Sequence, residues 1–348
     1  MARETCPAML IITSSPAPDS ASSVTKVWRL SCHRPFTPAF WRTLLHAVLN
    51  DVIGRVGSLG RGVPKGNTNH SGRQSPNRRV YHAAADGKLK SSNPNLQNIP
   101  IRTVLGREIR AAFVPREGWK LLVADYSQIE LRLLAHMSDD PLLLEAFRNG
   151  EDIHTRTASE VLGVPPMLVT PDARRDAKGV NFGIVYGISA FGLAAQLGIG
   201  RPEAEKYIKN YFARYAGVRR FIDETIAEVR RTGVARTLFG RERPILDINA
   251  RNPNARGFAE RVAVNSPLQG TAADLIKLAM VRIARGLEAA GWQSAMLLQV
   301  HDELVFECPP EEVEAVSALA RCEMEGACEL KVPMVVDVGV GDNWRDAK

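Results

Sequence analysis

The sequence lacks any apolar run near the roughly 20 residues that a membrane-spanning helix requires, so no such helix is expected. Its start has one early Arg and only a very short apolar run up to Ile12, which is not the layout of a secretory leader. A cytoplasmic location is therefore expected, with no membrane partner. Cysteine is sparse: Cys6, Cys32, Cys308, Cys322 and Cys328 show no CxxC pairing, so neither a zinc site nor a disulfide framework is expected. Acidic charge is scarce at the beginning. Residues 1–80 hold eleven Lys and Arg against three Asp and Glu, a net +8, which leaves −1 for residues 81–348 out of the total of +7. Overall basicity is thus no evidence of a nucleic-acid groove in the remainder, where any such groove must be a local patch.

What is present is a soluble globular composition, 45% hydrophobic and 24% charged. At 348 residues the chain is long enough for a sizeable core and two or three subdomains. Residues 1–80 are rich in Ser, Pro, Gly and Arg, and read as a poorly ordered or non-native segment or as a divergent DNA-binding arm. One stretch inside it, 40–56, has a helical apolar pattern.

The chain is organised around Leu121-Leu122-Val123-Ala124-Asp125-Tyr126-Ser127-Gln128-Ile129-Glu130-Leu131-Arg132. The apolar run predicts a buried strand of the parallel or central type that delivers Asp125 to its end. Ser127 and Glu130 have capping-box spacing, which predicts a helix immediately after. Such a junction is either a place to hold a metal ion or simply a turn. A second stretch answers it: Met296-Leu297-Leu298-Gln299-Val300-His301-Asp302-Glu303-Leu304-Val305-Phe306-Glu307 predicts a hairpin with carboxylates at its tip. Two carboxylates brought together repel unless a cation lies between them, and Mg²⁺ favours carboxylate oxygens, water and phosphates. Two-metal phosphoryl transfer uses such a pair.

A helix is predicted from Pro171 and Asp172, on which Arg174, Lys178, Phe182 and Tyr186 recur every four residues. The stripe runs for roughly 18 Å, cationic first and aromatic after. A nucleoside triphosphate has the matching order of phosphates, then sugar and base. The plainer alternative is a solvated charged face. Gly179, Gly183 and Gly187 form a second row. Each helical glycine costs up to about 1 kcal/mol relative to Ala, which predicts a close approach to the backbone there.

Elsewhere the pattern predicts strands at 109–114 and 120–126, and helices at 127–137, 140–147 (capped by Asp140) and 151–162 (carrying His154). It predicts further helices across 189–231, broken near 200–202 and 216–217, and a hairpin at 234–244. A long helix from about 256 carries Arg261 and Asn265, is interrupted around Pro267, and resumes with Gln269. A helix at 310–325 and a strand at 334–338 close the chain.

The two carboxylate stretches and the segment Arg174-Arg175-Asp176-Ala177-Lys178-Gly179-Val180-Asn181-Phe182-Gly183-Ile184-Val185-Tyr186-Gly187 resemble, in order, the three motifs of the family A DNA polymerases. The resemblance runs from about Ala84 to the end. Within it, Gly87-Lys88-Leu89-Lys90-Ser91-Ser92-Asn93-Pro94-Asn95-Leu96-Gln97 resembles the loop that follows the primer–template minor groove, with Lys88 standing where the family has Arg. Lys keeps the charge but not the bidentate fork.

The resemblance implies an α+β right-hand polymerase, truncated upstream. The palm, an antiparallel sheet with helices, would comprise 81–130 and 262–348, and the helical fingers 131–261. No thumb and no proofreading exonuclease is recognisable. The implied reaction is template-directed addition of deoxynucleotides to a primer 3′ end, in replication or repair, by a monomer acting on primer–template DNA and dNTPs with two Mg²⁺ ions. Asp125, Asp302 and the Tyr126 carbonyl would bind metal, with Glu303 in support. Arg174, Lys178 and His154 would neutralise phosphate charge, and Lys178 would also donate a proton to the leaving pyrophosphate. Phe182 would pack on sugar and base, Tyr186 with Glu130 would exclude a ribose 2′-hydroxyl, and Gln128 would also contact the nucleotide. Lys88, Asn95, Gln97, Arg132, Arg261, Asn265, Gln269 and His301 would contact DNA. Two other readings share part of this pattern: a weakly active or inactive DNA-binding remnant, and another metal-dependent nucleotidyltransferase or nuclease. The Arg174–Tyr186 stripe argues against a nuclease, which binds no incoming triphosphate.

Overall fold

The structure, a computed structural model, describes residues 81–83, 87–91, 96–99, 103–162 and 164–348. The expectations for 1–80 and for Asn95 lie outside the described residues.

In chain order, a short hairpin of β1 (Tyr81–Ala83) and β2 (Leu89–Ser91) precedes α1 (Val104–Ala111) and β3 (Lys120–Tyr126). Helices α2 (Ile129–Ser138), α3 (Pro141–Arg148), α4 (Ile153–Leu162), α5 (Pro171–Val185), α6 (Ala190–Leu197), α7 (Arg201–Arg214) and α8 (Ala216–Thr232) follow. Then come the β4 (Val234–Arg236) and β5 (Glu242–Pro244) hairpin, α9 (Pro253–Ala289), β6 (Ala295–Val300), β7 (Glu303–Cys308), α10 (Val313–Glu325) and β8 (Val336–Gly341).

The main sheet has the order β6-β7-β3-β8, with every neighbour antiparallel. This agrees with the expected α+β class. It also explains why β3 is apolar from Leu121 to Ala124: the strand is central and covered on both faces. Leu122, Ala124 and Tyr126 enter the large core with Leu133, Leu134, Leu275 and Phe306. Leu121 and Val123 point the other way, into a cluster with Val300, Val305 and Trp344. By strand alternation Asp125 lies on the Trp344 side. That side is closed by the tail 342–348. There Trp344 is fully buried, its backbone N–H donates to the Phe113 carbonyl at 3.0 Å, and the Phe113 ring meets it edge-on at 5.4 Å.

Four expectations need correction. Residues 109–111 end a helix rather than belonging to a strand. Thr103 caps α1 by accepting from the Gly106 N–H at 3.0 Å, and the buried Gly106 and Arg110 stand one helical turn apart. The capping box does not form. The residue before α2 is Gln128, in the left-handed region at φ 55° with no side-chain cap, while the Ser127 N–H donates to Val335 O at 2.9 Å. Glu130 is thereby left to face the cleft described below. The long helix is not interrupted: α9 runs 37 residues with Pro267 inside it. An interior proline costs about 3 kcal/mol. Burying Leu268, Leu275, Ile276, Met280, Ile283 and Leu287 along that helix outweighs the cost, at roughly 1.5–3 kcal/mol for each fully buried large side chain. Finally, Cys322 and Cys328 are disulfide-bonded, while Cys308 is free and buried. A spacing of six residues at the end of a helix is not a signal that sequence alone carries.

Candidate active site

The β6–β7 hairpin pairs up to Val300 opposite Glu303, leaving His301 and Asp302 as a two-residue turn. His301 takes φ 56°, a left-handed conformation unusual without glycine. On β3 the pairing with β7 sets Asp125 opposite Glu303, and the Tyr126 N–H donates to the Asp302 carbonyl at 3.2 Å. Two stretches far apart in sequence thus deliver their carboxylates to one junction. Backbone outliers flank it on both sides, Gln128 and His301. Such conformations each cost about 1–3 kcal/mol and persist where the surroundings over-determine them.

The electrostatics fit close quarters. Burial, and then the neighbouring Asp125 charge, push the Asp302 carboxyl up to about 6. Burial likewise raises Asp125, with Lys348 opposing the shift. Asp125 Oδ1 is buried and has no hydrogen-bond partner. Glu303 is 1% exposed. It lies between two cations: Arg110 Nη1 is 3.5 Å from its Oε1, and Lys348 Nζ is ion-paired with its Oε2. Lys348 Nζ also lies 3.4 Å from Asp125 Oδ2. Neither Arg110 nor Lys348 was singled out from the sequence. Arg110 lies in a stretch read as a strand, and Lys348 stands beyond the last predicted element.

Among the described residues no group of three or more His, Cys, Asp and Glu is arranged to hold a metal ion. The available donors here are Asp125, Asp302 and the Tyr126 carbonyl. They are all hard oxygens, and one carboxylate oxygen is buried without a partner. That set suits Mg²⁺, which takes one or two carboxylates and keeps water and substrate phosphate for the rest. The residues fit the ion that the carboxylate pattern implies.

A cleft of about 210 Å³ opens beside the junction, lined by Lys88, Tyr126, Glu130, Gln299, His301 and Asp302 among others. Burial raises the Glu130 carboxyl, and Lys88, 3.6 Å away, pulls it back. Gln97 Nε2 donates to Leu89 O at 2.9 Å and reaches Gln299, tying the loop after β2 to the β6 edge of this cleft. The Tyr126 ring is buried and its hydroxyl donates to Met324 O at 2.7 Å, so only its backbone is available to the site.

The cationic stripe forms a second group. Arg174 and Lys178 are exposed on α5, and Tyr186 follows at its end; Phe182 also lies on α5, its side chain outside the described set. Among the described residues, no α5 side chain lines the 210 Å³ cleft. Arg174 is ion-paired with Asp152, whose carboxylate also accepts from the His154 N–H at 3.0 Å and the Thr155 hydroxyl at 2.7 Å. His154 is 1% exposed and its Nδ1 is 3.1 Å from Asn181 Nδ2. Burial, assisted by the charges of Lys178 and Arg174 against that of Asp152, lowers its pKa to about 4. His154 is therefore neutral near pH 7, and the phosphate-neutralising charge expected of it is absent. A hydrogen bond is what it retains.

The glycine row is explained from within the chain. A Cβ on Gly179 would collide with the Gln196 amide. One on Gly187, which has φ +75°, would come within 2.9 Å of the Arg261 stem. Arg261 itself is exposed, Gln269 half-buried, and the Asn265 side-chain carbonyl is buried without a partner. Arg132 differs from expectation. It is 8% exposed, donates to Ser127 O at 2.8 Å and Pro333 O at 2.7 Å, and lies over the Phe147 ring. Its donors are committed to the fold and not to DNA.

Comparison with known proteins agrees with the resemblance. The family model for DNA polymerase family A matches residues 67–346. The chain is 53% identical over 269 residues to DNA polymerase I of Pseudomonas aeruginosa, covering 77% of this chain and 30% of that protein. It is 54% identical over 266 residues to the thermostable DNA polymerase I of Thermus thermophilus, covering 76% and 32%. The chain thus spans about a third of the length of these relatives. The POL domain of Pol1 from M. smegmatis, solved in complex with DNA primer-template and dNTP, superposes with a TM-score of 0.74 at 47% identity, covering 76% of this chain and 47% of that one.

Proposed function

The chain belongs to DNA polymerase family A, and on that premise we propose that it is a polymerase core that adds deoxynucleotides to a primer 3′ end under direction of a template. The observation that carries the reading is the junction of Asp125 and Asp302. One backbone hydrogen bond and the β3–β7 register bring them together, and Asp302 is raised to about 6 partly by Asp125's charge. Divalent ions bound there supply activation of the primer hydroxyl and stabilisation of the leaving pyrophosphate. The residues of the chain do the rest. Asp125, Asp302 and the Tyr126 carbonyl hold the ions, and Glu303 keeps the junction acidic. Arg174, Lys178 and the neutral His154 bind the triphosphate, with Phe182 on sugar and base. For that, Arg174 exchanges Asp152 for phosphate. Glu130 and Tyr186 close the sugar side, and Lys88, Gln97, Arg261, Asn265, Gln269 and His301 face primer and template. The parts are a palm of 81–130 and 262–348 and fingers of 131–261.

The chemistry needs DNA and nucleotide together. Anisotropy of a labelled primer–template, measured with Mg²⁺ and either the matched or a mismatched dNTP, tests this. The matched dNTP is expected to tighten DNA binding, and Asp125→Asn or EDTA to remove that effect. Binding that ignores the nucleotide would instead mark a DNA-binding remnant.

A further inference from the structure

The acidic junction holds a cation of its own. Lys348 Nζ ion-pairs with Glu303 and lies 3.4 Å from Asp125 Oδ2, bridging two carboxylates from neighbouring strands. The tail that carries it is anchored: Trp344 is fully buried under the Arg110 guanidinium, 4.1 Å from its ring, and Ala347 packs in the same apolar cluster. Arg110 pairs with Glu303 from the other side. Asp125, Asp302 and Glu303 thus face Arg110 and Lys348, and the junction keeps an unbalanced negative charge. Asp125 Oδ1 is buried without a partner.

We propose that Lys348 is a tethered counter-ion of this junction, which holds Asp125 and Glu303 together while no divalent ion is bound and withdraws when one binds. The proposal rests on the reading of Asp125 and Asp302 as metal-holding carboxylates. An ammonium and a divalent ion at one carboxylate repel, so each weakens the other's hold, and the coupling is reciprocal. The flexible four-carbon stem of lysine, here one-third exposed, lets the ammonium leave without moving the anchored Trp344. Lys348 is a positioning residue that sets metal affinity.

The test is Mn²⁺ binding to the full chain without DNA, followed by the electron paramagnetic resonance of the free ion, for wild type, Lys348→Met, Lys348→Arg and Asp302→Asn. Removing the charge is expected to tighten Mn²⁺ binding about tenfold, within the span typical of coupled ligands. Lys348→Arg is expected to stay close to wild type, and Asp302→Asn to weaken binding. Thermal melting adds a second readout. Lys348→Met is expected to lower Tm in EDTA and to widen the rise that Mn²⁺ produces. Unchanged or weaker Mn²⁺ binding in Lys348→Met, with Asp302→Asn still impaired, overturns the proposal and leaves the metal reading standing. Absence of binding in both wild type and Lys348→Met overturns both. An equal loss of Tm with and without Mn²⁺ marks Lys348 as a plain structural staple and also overturns it.

Discussion

Arg132 donates to the backbone carbonyls of Ser127 and Pro333 on either side of the β3 end. Arg132→Met removes charged donors from both, and hydrogen bonds to charged groups contribute about 1.5–3 kcal/mol each. The variant is expected to lose about 3 kcal/mol of stability in thermal unfolding, while the folded fraction keeps its DNA affinity. Loss of DNA affinity at unchanged stability would return Arg132 to the DNA surface. His154 makes a different residue-scale statement. Its pKa falls from 6.5 unfolded to about 4 folded, chiefly through burial. The stability that comes from keeping it neutral is present above pH 6.5 and is lost as pH falls through 4. Two and a half pH units correspond to about 3 kcal/mol. His154→Gln, which cannot titrate, is expected to flatten the stability profile between pH 6.5 and 4, narrowing its gap to wild type as pH falls. Parallel profiles from denaturant melts would contradict this.

At the scale of elements, legibility followed burial and repetition. β3 and the β6–β7 hairpin were readable because short apolar runs lead into carboxylates. α6, α7 and α8 were readable because the breaks expected near 200–202 and 216–217 fall within a residue or two of the gaps between these helices. The failures have local causes. Residues 109–114 are apolar but for Arg110 and suit a strand, but the Thr103 cap and the burial of Arg110 against Trp344 decide for a helix through Ala111. Pro267 argued for a break, and the buried inner face of α9 overrode it. The close approach to the backbone that the glycine row along α5 predicts is, by contrast, made from within the chain, by Gln196 and the Arg261 stem. Gly187 closes that helix in the left-handed region at φ +75°. Gly187→Ala is therefore expected to lower the denaturation midpoint by an amount equivalent to about 1–2 kcal/mol, beyond any adjustment of the Arg261 stem. A neutral substitution would mean that α5 can end elsewhere.

For the whole molecule, sequence spacing made the two junction carboxylates visible and left their surroundings hidden. Asp125 and Asp302 announce themselves because one stands at the end of a buried strand and the other at the tip of a hairpin. Arg110 and Lys348 do not, because nothing in the chain order says that an N-terminal helix and the tail meet over the same strand. The register of the β6-β7-β3-β8 sheet and the burial of Trp344 bring them there. The cationic face of α5 does not line the cleft beside the carboxylates, so on the proposed reading the triphosphate bridges the two. On that reading nucleotide transfer depends on both groups, and most directly on the junction. The deciding measurement is Mg²⁺-dependent extension of a labelled primer–template with dNTPs by the wild-type chain beside Asp302→Ala. The account predicts extension by the wild type and none by the variant, with the variant still folded by circular dichroism. Extension that survives in Asp302→Ala, or a folded wild-type chain that binds the duplex and extends nothing, would contradict it.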